Sequence, residues 1–303
     1  MSTAEQQGAG AESAAGEKVA RRAGFVYVPE QRRVVSQLEK VLGIFARSRG
    51  RIRPHFILGG PSGSGKSHTI QYLAAERGLQ FYEVNAAAIT KEGTSGNSLT
   101  KALSVLINRD RRPTVVFVDE FDKLFISGNT NEELAHETTN GVQNEFLRVL
   151  EAKTAAVFGD YGKYINVPVA DVLFIFAGAF NGEAPLSIGR LKQFGIKTEF
   201  LGRVGLVYTL PPLRLETMRQ ILEESDLLTT YLKLYTRIER ETAVEAIFGV
   251  LADIYEQNTL GIRLINTLIH QYFINEGKLP DPDDFGFAER DFFDAALSQD
   301  IEF

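Results

Sequence analysis

Gly60-Pro61-Ser62-Gly63-Ser64-Gly65-Lys66-Ser67 is the stretch whose reading decides the fold. An apolar run, His55–Leu58, precedes it, and a helical pattern over Ser67–Arg77 follows it. The spacing G-x-x-x-x-G-K-[ST] between a strand and a helix builds a phosphate cradle. Glycines at 60, 63 and 65 let backbone N–H groups converge on phosphate oxygens without side-chain clash. The helix that follows aims its partial positive end at the same place. Pro61, Ser62 and Ser64 complete the loop. Lys66 has the reach for β- and γ-phosphates, and the Ser67 hydroxyl suits a magnesium ion. His68 comes next and is a further candidate for nucleotide contact. A structural role fits it as well, since the four histidines show no metal-ligand spacing. The octapeptide therefore predicts ATP and Mg2+ as cofactors.

Working outward, Thr114–Val118 is an apolar strand that ends in Asp119-Glu120. Carboxylates at the tip of a buried strand are costly unless they serve a cation. Asp119 suits magnesium held through water. Glu120 is placed to take the proton of a water attacking the γ-phosphate. Both residue types also cap helices, so a capping role stays open for each.

Further apolar runs at Gln80–Val84, Val172–Ala177 and Val204–Leu210 complete a set of buried strands. Helical spacing at Ser67–Arg77, Ser98–Asn108 and Glu132–Ala152 alternates with them, which implies an α/β fold with a parallel sheet. After Pro211-Pro212 no strand pattern remains. Helical stretches follow near 216–224, 228–238, 243–257 and 262–276, with Ile247, Leu251 and Ile254 on one face and Leu264, Leu268 and Ile269 on another. These patterns divide the chain into a disordered tail (1–24), a large α/β domain (25–212) and a small helical domain (213–303).

The 303 residues include no cysteine, which excludes disulfides and Cys-ligated zinc or iron–sulfur sites. No apolar run approaches the ~20 residues that span a bilayer. The N-terminal stretch lacks the apolar core of a signal peptide, so a cytoplasmic protein is expected. A net charge of −6 argues against a surface that coats nucleic acid. Two basic clusters, Arg47, Arg49, Arg51 and Arg53, then Arg109, Arg111 and Arg112, leave open solvated loops or phosphate, nucleic-acid or subunit contacts.

Several motifs in order resemble the AAA+ ATPases, and within them the ClpX/HslU unfoldase branch, over roughly residues 25–277. They are Asp119-Glu120-Phe121-Asp122-Lys123-Leu124, Gly141-Val142-Gln143, Phe174–Phe180, Glu199-Phe200-Leu201-Gly202-Arg203 and Leu260-Gly261-Ile262-Arg263. The resemblance implies a P-loop core with a five-stranded parallel sheet and an all-α lid. It makes Arg203 an arginine finger reaching the neighbouring subunit's ATP, beside Lys66 and Glu120 in catalysis. It makes Arg263 a lid residue that reads its own subunit's nucleotide. Val26, Tyr27 and Val28 resemble the stretch lining the adenine pocket, although Tyr27 is equally suited to packing. Ring assembly follows from a finger acting in trans, and the resemblance implies a homo-hexamer that remodels a protein client.

The chain departs from that branch in several places. Glu92-Gly93-Thr94-Ser95-Gly96 stands where an aromatic pore loop is expected. The segment from Asn181 to Leu191 is too short for a peptidase-docking loop, so docking to a barrel protease is not expected. The fourth strand ends in Ala177-Gly178-Ala179-Phe180, with Asn181 the nearest polar residue for a sensor. Val157–Val169 carries Tyr161 and Tyr164, either projecting toward a pore or partner or packed as a hairpin. Two other functions remain open from sequence: an ATPase associated with nucleic acid, and a nucleotide-dependent switch or scaffold.

Overall fold

The computed structural model describes residues 20–22, 25–89, 98–125, 132–159 and 162–279. Two short strands, β1 (Ala20–Arg22) and β2 (Phe25–Tyr27), precede helix α1 (Arg32–Arg47). The chain forms two compact units, one of Gln31–Pro212 and one of the flanking segments, Met1–Glu30 and Leu213–Phe303.

In the first unit, α1 buries Val35, Leu38, Val41, Leu42 and Phe45, a stripe at helical spacing. The chain then runs through β3 (Phe56–Gly59), α2 (Lys66–Ala75), β4 (Gln80–Asn85), α3 (Leu99–Ala102), β5 (Thr114–Asp119) and α4 (Glu132–Glu151). Next come β6 (Thr154–Phe158), β7 (Tyr164–Pro168), β8 (Val172–Gly178), α5 (Ile188–Gln193), α6 (Thr198–Arg203) and β9 (Leu206–Thr209). The main sheet has the order β4-β5-β8-β3-β9, and its pairings are parallel. The three inner strands are buried along nearly their whole length, as their unbroken apolar sequences require. Edge strand β4 buries only Val84. Because β8 lies between β3 and β5, the loop leaving β3 and the acidic tip of β5 open on the same carboxyl edge, one strand apart. That edge is where open parallel sheets bind ligands.

The stretch after α4 is an antiparallel hairpin of β6 and β7. Ala155, Val157 and Val167 enter the core, while Tyr164 points out at 57% exposure. Tyr161 lies outside the described residues. Helical spacing over 98–108 resolves into the short α3 and a 3-10 turn at Leu103–Leu106.

The second unit holds α7 (Leu215–Glu223), α8 (Asp226–Leu234), α9 (Arg240–Asp253) and α10 (Ile262–Ile274). Ile247, Leu251 and Ile254 pack in one core with Leu264, Leu268 and Ile269. Two boundaries differ from the sequence reading. Phe25–Glu30 belongs to this helical unit and not to the α/β unit. The reason is packing and capping: Val28 joins the core with Leu213 and Met218, and the Glu30 carboxylate accepts from Arg214 N (2.8 Å) and Thr217 Oγ1 (3.0 Å) at the start of α7. The expected disordered tail also overlaps β1, whose Ala20–Arg22 backbone pairs with Tyr27–Phe25. Composition cannot show such a pairing, because it is made by backbone groups that every residue carries.

Candidate nucleotide site

The loop of residues 60–67 has the backbone its glycines permit. Gly60, Gly63 and Gly65 have φ of 144°, 67° and 87°. A Cβ at Gly60 would stand 2.7 Å from the Leu210 carbonyl oxygen, so no other residue fits there. Gly65 is the N-cap of α2 and sets the helix start against the loop. Lys66 Nζ donates to the carbonyls of Gly60 (2.8 Å) and Pro61 (3.0 Å), so the ammonium is held over the loop's own oxygens. Pro61 and Ser62 are half-buried, and Ser64 is buried with its Oγ unpartnered. His68 is exposed on the first turn of α2.

Ser67 Oγ donates to Asp119 Oδ2 at 3.5 Å, which brings the two magnesium candidates together from the start of α2 and the end of β5. A hydroxyl and a carboxylate are hard oxygen donors and fit Mg2+, which takes few protein ligands and completes its shell with phosphate and water. Asp119 Oδ1 accepts from Glu120 N at 2.9 Å. Glu120 has a left-handed φ of 54° and makes no side-chain cap bond to the 3-10 turn at Phe121–Leu124. The capping alternative for Glu120 therefore does not hold. Its carboxylate reaches sideways, where Oε2 accepts from Asn85 Nδ2 at 3.0 Å.

Sequence reasoning missed Asn85 and the role of Asp122. Asn85 sits at the end of β4 and pairs in register with Asp119. A polar residue ending an edge strand is a weak signal without that register. Asp122 is buried at 2% exposure, and its Oδ2 accepts from Phe180 N at 3.1 Å. A Cβ on Gly178 would meet Asp122 Oδ1 at 2.5 Å, so glycine ends β8 where the carboxylate needs room. Phe180 and Asn181, at φ of 47° and 57°, then turn the chain away. Glu83, two residues before Asn85, has its pKa raised by burial and then by the charge of Asp119. It shares the acidic neighbourhood of the site.

The remaining candidates lie apart from this cluster in the sequence of elements. Arg203 ends α6, half exposed, and pairs through Nε and a terminal nitrogen with Glu151 at the end of α4. Tyr27, Val28 and Arg263 belong to the helical unit. Tyr27 packs edge-on against Phe25 at 4.9 Å, Val28 is buried in the core, and Arg263 is exposed on the first turn of α10. The stretch Glu92–Gly96 lies outside the described residues. Part of the basic clusters is used internally. Arg53 donates to the carbonyls of Val169 (3.0 Å) and Leu150 (3.4 Å), and Arg109, 6% exposed, pairs with Asp171.

Comparison with known proteins agrees with this arrangement. The model of the family described as "ATPase family associated with various cellular activities (AAA)" matches residues 56–200. The chain is 28% identical over 204 residues to the ATP-dependent Clp protease ATP-binding subunit ClpX 2 of Wolinella succinogenes, covering 57% of this chain and 51% of that protein. It is 24% identical over 262 residues to the ClpX of Bacteroides thetaiotaomicron, covering 72% of this chain and 63% of that protein. The chain thus spans between half and two thirds of the length of these relatives. Among the described residues, no helix is long and apolar enough to cross a membrane. A loop after β3, an acidic tip on β5 and an interposed β8 accompany these matches: residues 56–200 are similar to the AAA ATPase family, and the chain resembles the ClpX branch of the AAA+ ATPases.

Proposed function

We propose that this chain hydrolyses ATP at the Gly60–Ser67 loop and uses the cycle, as a homo-hexameric ring, to remodel a protein partner. The observation that carries the reading is the line Ser67–Asp119–Glu120–Asn85, which crosses the carboxyl edge of the sheet beside the cradle. Lys66 exchanges the Gly60 and Pro61 carbonyls for phosphate oxygens. Ser67 and Asp119 hold magnesium, which neutralises phosphate charge when bound. Glu120 takes the proton of the attacking water, and Asn85 fixes the orientation of its carboxylate. Asp119–Leu124 and the β8 tip stay in mutual register through Asp122 and Phe180 N.

Arg203 serves a neighbouring subunit. Its pair with Glu151 is exposed on both sides, at 53% and 52%, and exposed pairs contribute only ~0–1 kcal/mol, so the arginine is released cheaply. The protein client is supported by the ClpX-named relatives and by basic clusters that partly serve the fold. Docking to a barrel protease is not part of the reading, because a 3-10 turn at Phe180–Gly182 and α5 follow β8 closely.

One set of turnover measurements tests both halves. Glu120→Gln should lower kcat by roughly 100-fold or more while keeping ATP affinity, by the size of general-base effects. Arg203→Ala should be slow as well. Mixing the two inactive variants should restore activity above either alone, since one supplies the finger and the other the intact site. Unchanged turnover in Glu120→Gln would overturn the hydrolytic assignment. A mixture no more active than its parts would overturn the shared site.

A further inference from the structure

Gln31 is outside every motif discussed so far, yet it is one of the few polar side chains buried in the structure, at 4% exposure. Its Nε2 donates to two carbonyls at once, Ser64 O at 3.0 Å and Pro211 O at 3.0 Å. Both amide hydrogens are therefore committed. Ser64 stands between two left-handed glycines, Gly63 and Gly65, whose φ values are 67° and 87°. The Ser64–Gly65 peptide turns about ψ of Ser64 and φ of Gly65, and the glycine offers little steric resistance, so a contact from outside the loop is needed to set its direction.

We infer that Gln31 is a positioning residue for the phosphate cradle: by holding the Ser64 carbonyl it fixes the direction of the Gly65 N–H. In a trans peptide the carbonyl and the following N–H point to opposite sides. A Ser64 oxygen turned onto Gln31 therefore turns the Gly65 donor away from Gln31. Converging N–H groups are what a phosphate cradle consists of, and one misdirected peptide removes a donor. The surroundings are dry, so the bond is costly to leave unmade. The second acceptor extends the device. Gln31 and Pro212 are the first and last residues of the α/β unit, and Pro211 immediately precedes the second of them. One side-chain amide thus fastens the loop to both ends of its unit.

This inference rests on the reading of residues 60–67 as a nucleotide site. It is tested in the full chain with Gln31→Glu and Gln31→Met, which remove the donors at similar size, and Gln31→Lys, whose ammonium donates to the same carbonyls. Binding of ATP and of inorganic tripolyphosphate is measured by calorimetry, with the unliganded melting temperature and kcat at saturating ATP alongside. The expected result is a loss of about tenfold or more in affinity for the glutamate and methionine variants. The factor should be the same for both ligands, which locates it at the phosphates and not the base. kcat should stay within about threefold, and the lysine variant should recover most of the affinity. Folded variants that bind both ligands like wild type would overturn the proposal. If the methionine variant does not fold, the comparison of lysine with glutamate decides, and equal binding by the two would overturn it. Failure of the unsubstituted protein to bind either ligand would strike the nucleotide reading itself, and this inference with it.

Discussion

His55 stands at the start of the strand that delivers the phosphate loop, and it is 7% exposed. Its Nδ1 accepts from Phe174 N at 3.0 Å, which ties the entry of β3 to β8. Burial first, and then the charge of Arg53, push its pKa from 6.5 down to about 4. Between those values the unfolded chain takes up a proton that the folded chain refuses. Stability contributed by His55 is therefore complete above about pH 6.5 and is lost as pH falls toward 4. The loss across that window is on the order of 3 kcal/mol. His55→Asn keeps an acceptor for the Phe174 N–H but cannot titrate. Urea unfolding between pH 4.5 and 7.5 should show a flatter stability profile for His55→Asn than for the parent. An equally steep profile would assign the acid loss to other groups.

At the scale of elements, the β6–β7 hairpin shows how one segment divides its side chains by alternation. Val157 is fully buried, whereas Tyr164 is 57% exposed and meets Phe158 edge-on at 5.8 Å. Val157→Ala should destabilise the protein by about 1–3 kcal/mol through lost burial and a residual cavity. Tyr164→Ala should change stability by less than about 0.5 kcal/mol, as surface substitutions do. Both follow from denaturant midpoints at constant slope. Comparable losses for the two would mean that Tyr164 is a packing residue, and its candidacy for contact with a partner would end.

At the scale of the molecule, nucleotide binding should appear as added stability through mass action. With Mg-ATP at about 100 times its dissociation constant, the gain is about 2.7 kcal/mol. For a chain of 303 residues that is a rise of roughly 4 °C in melting temperature. Lys66→Ala removes the ammonium held over Gly60 and Pro61 and should show a much smaller rise at the same concentration. An equal rise in both proteins would separate Lys66 from the nucleotide.

By itself the sequence determined the α/β class, the positions of the five strands of the main sheet, the glycine loop at Gly60–Ser67 and the acidic end of β5 at Asp119-Glu120. These are local matters: burial on both faces makes apolar runs, and a phosphate loop demands glycine where φ is positive. Only the tertiary structure decided who stands beside whom. Asn85 reaches Glu120 because β4 and β5 pair in one register. Asp122 meets Phe180 N because β8 inserts next to β5. Gln31 finds Ser64 across 33 residues and Pro211 across 180. Phe25–Glu30 joins the helices because Val28 and Glu30 find their partners there. Such contacts depend on chain paths that bring distant residues together, and no local pattern of residue types encodes them.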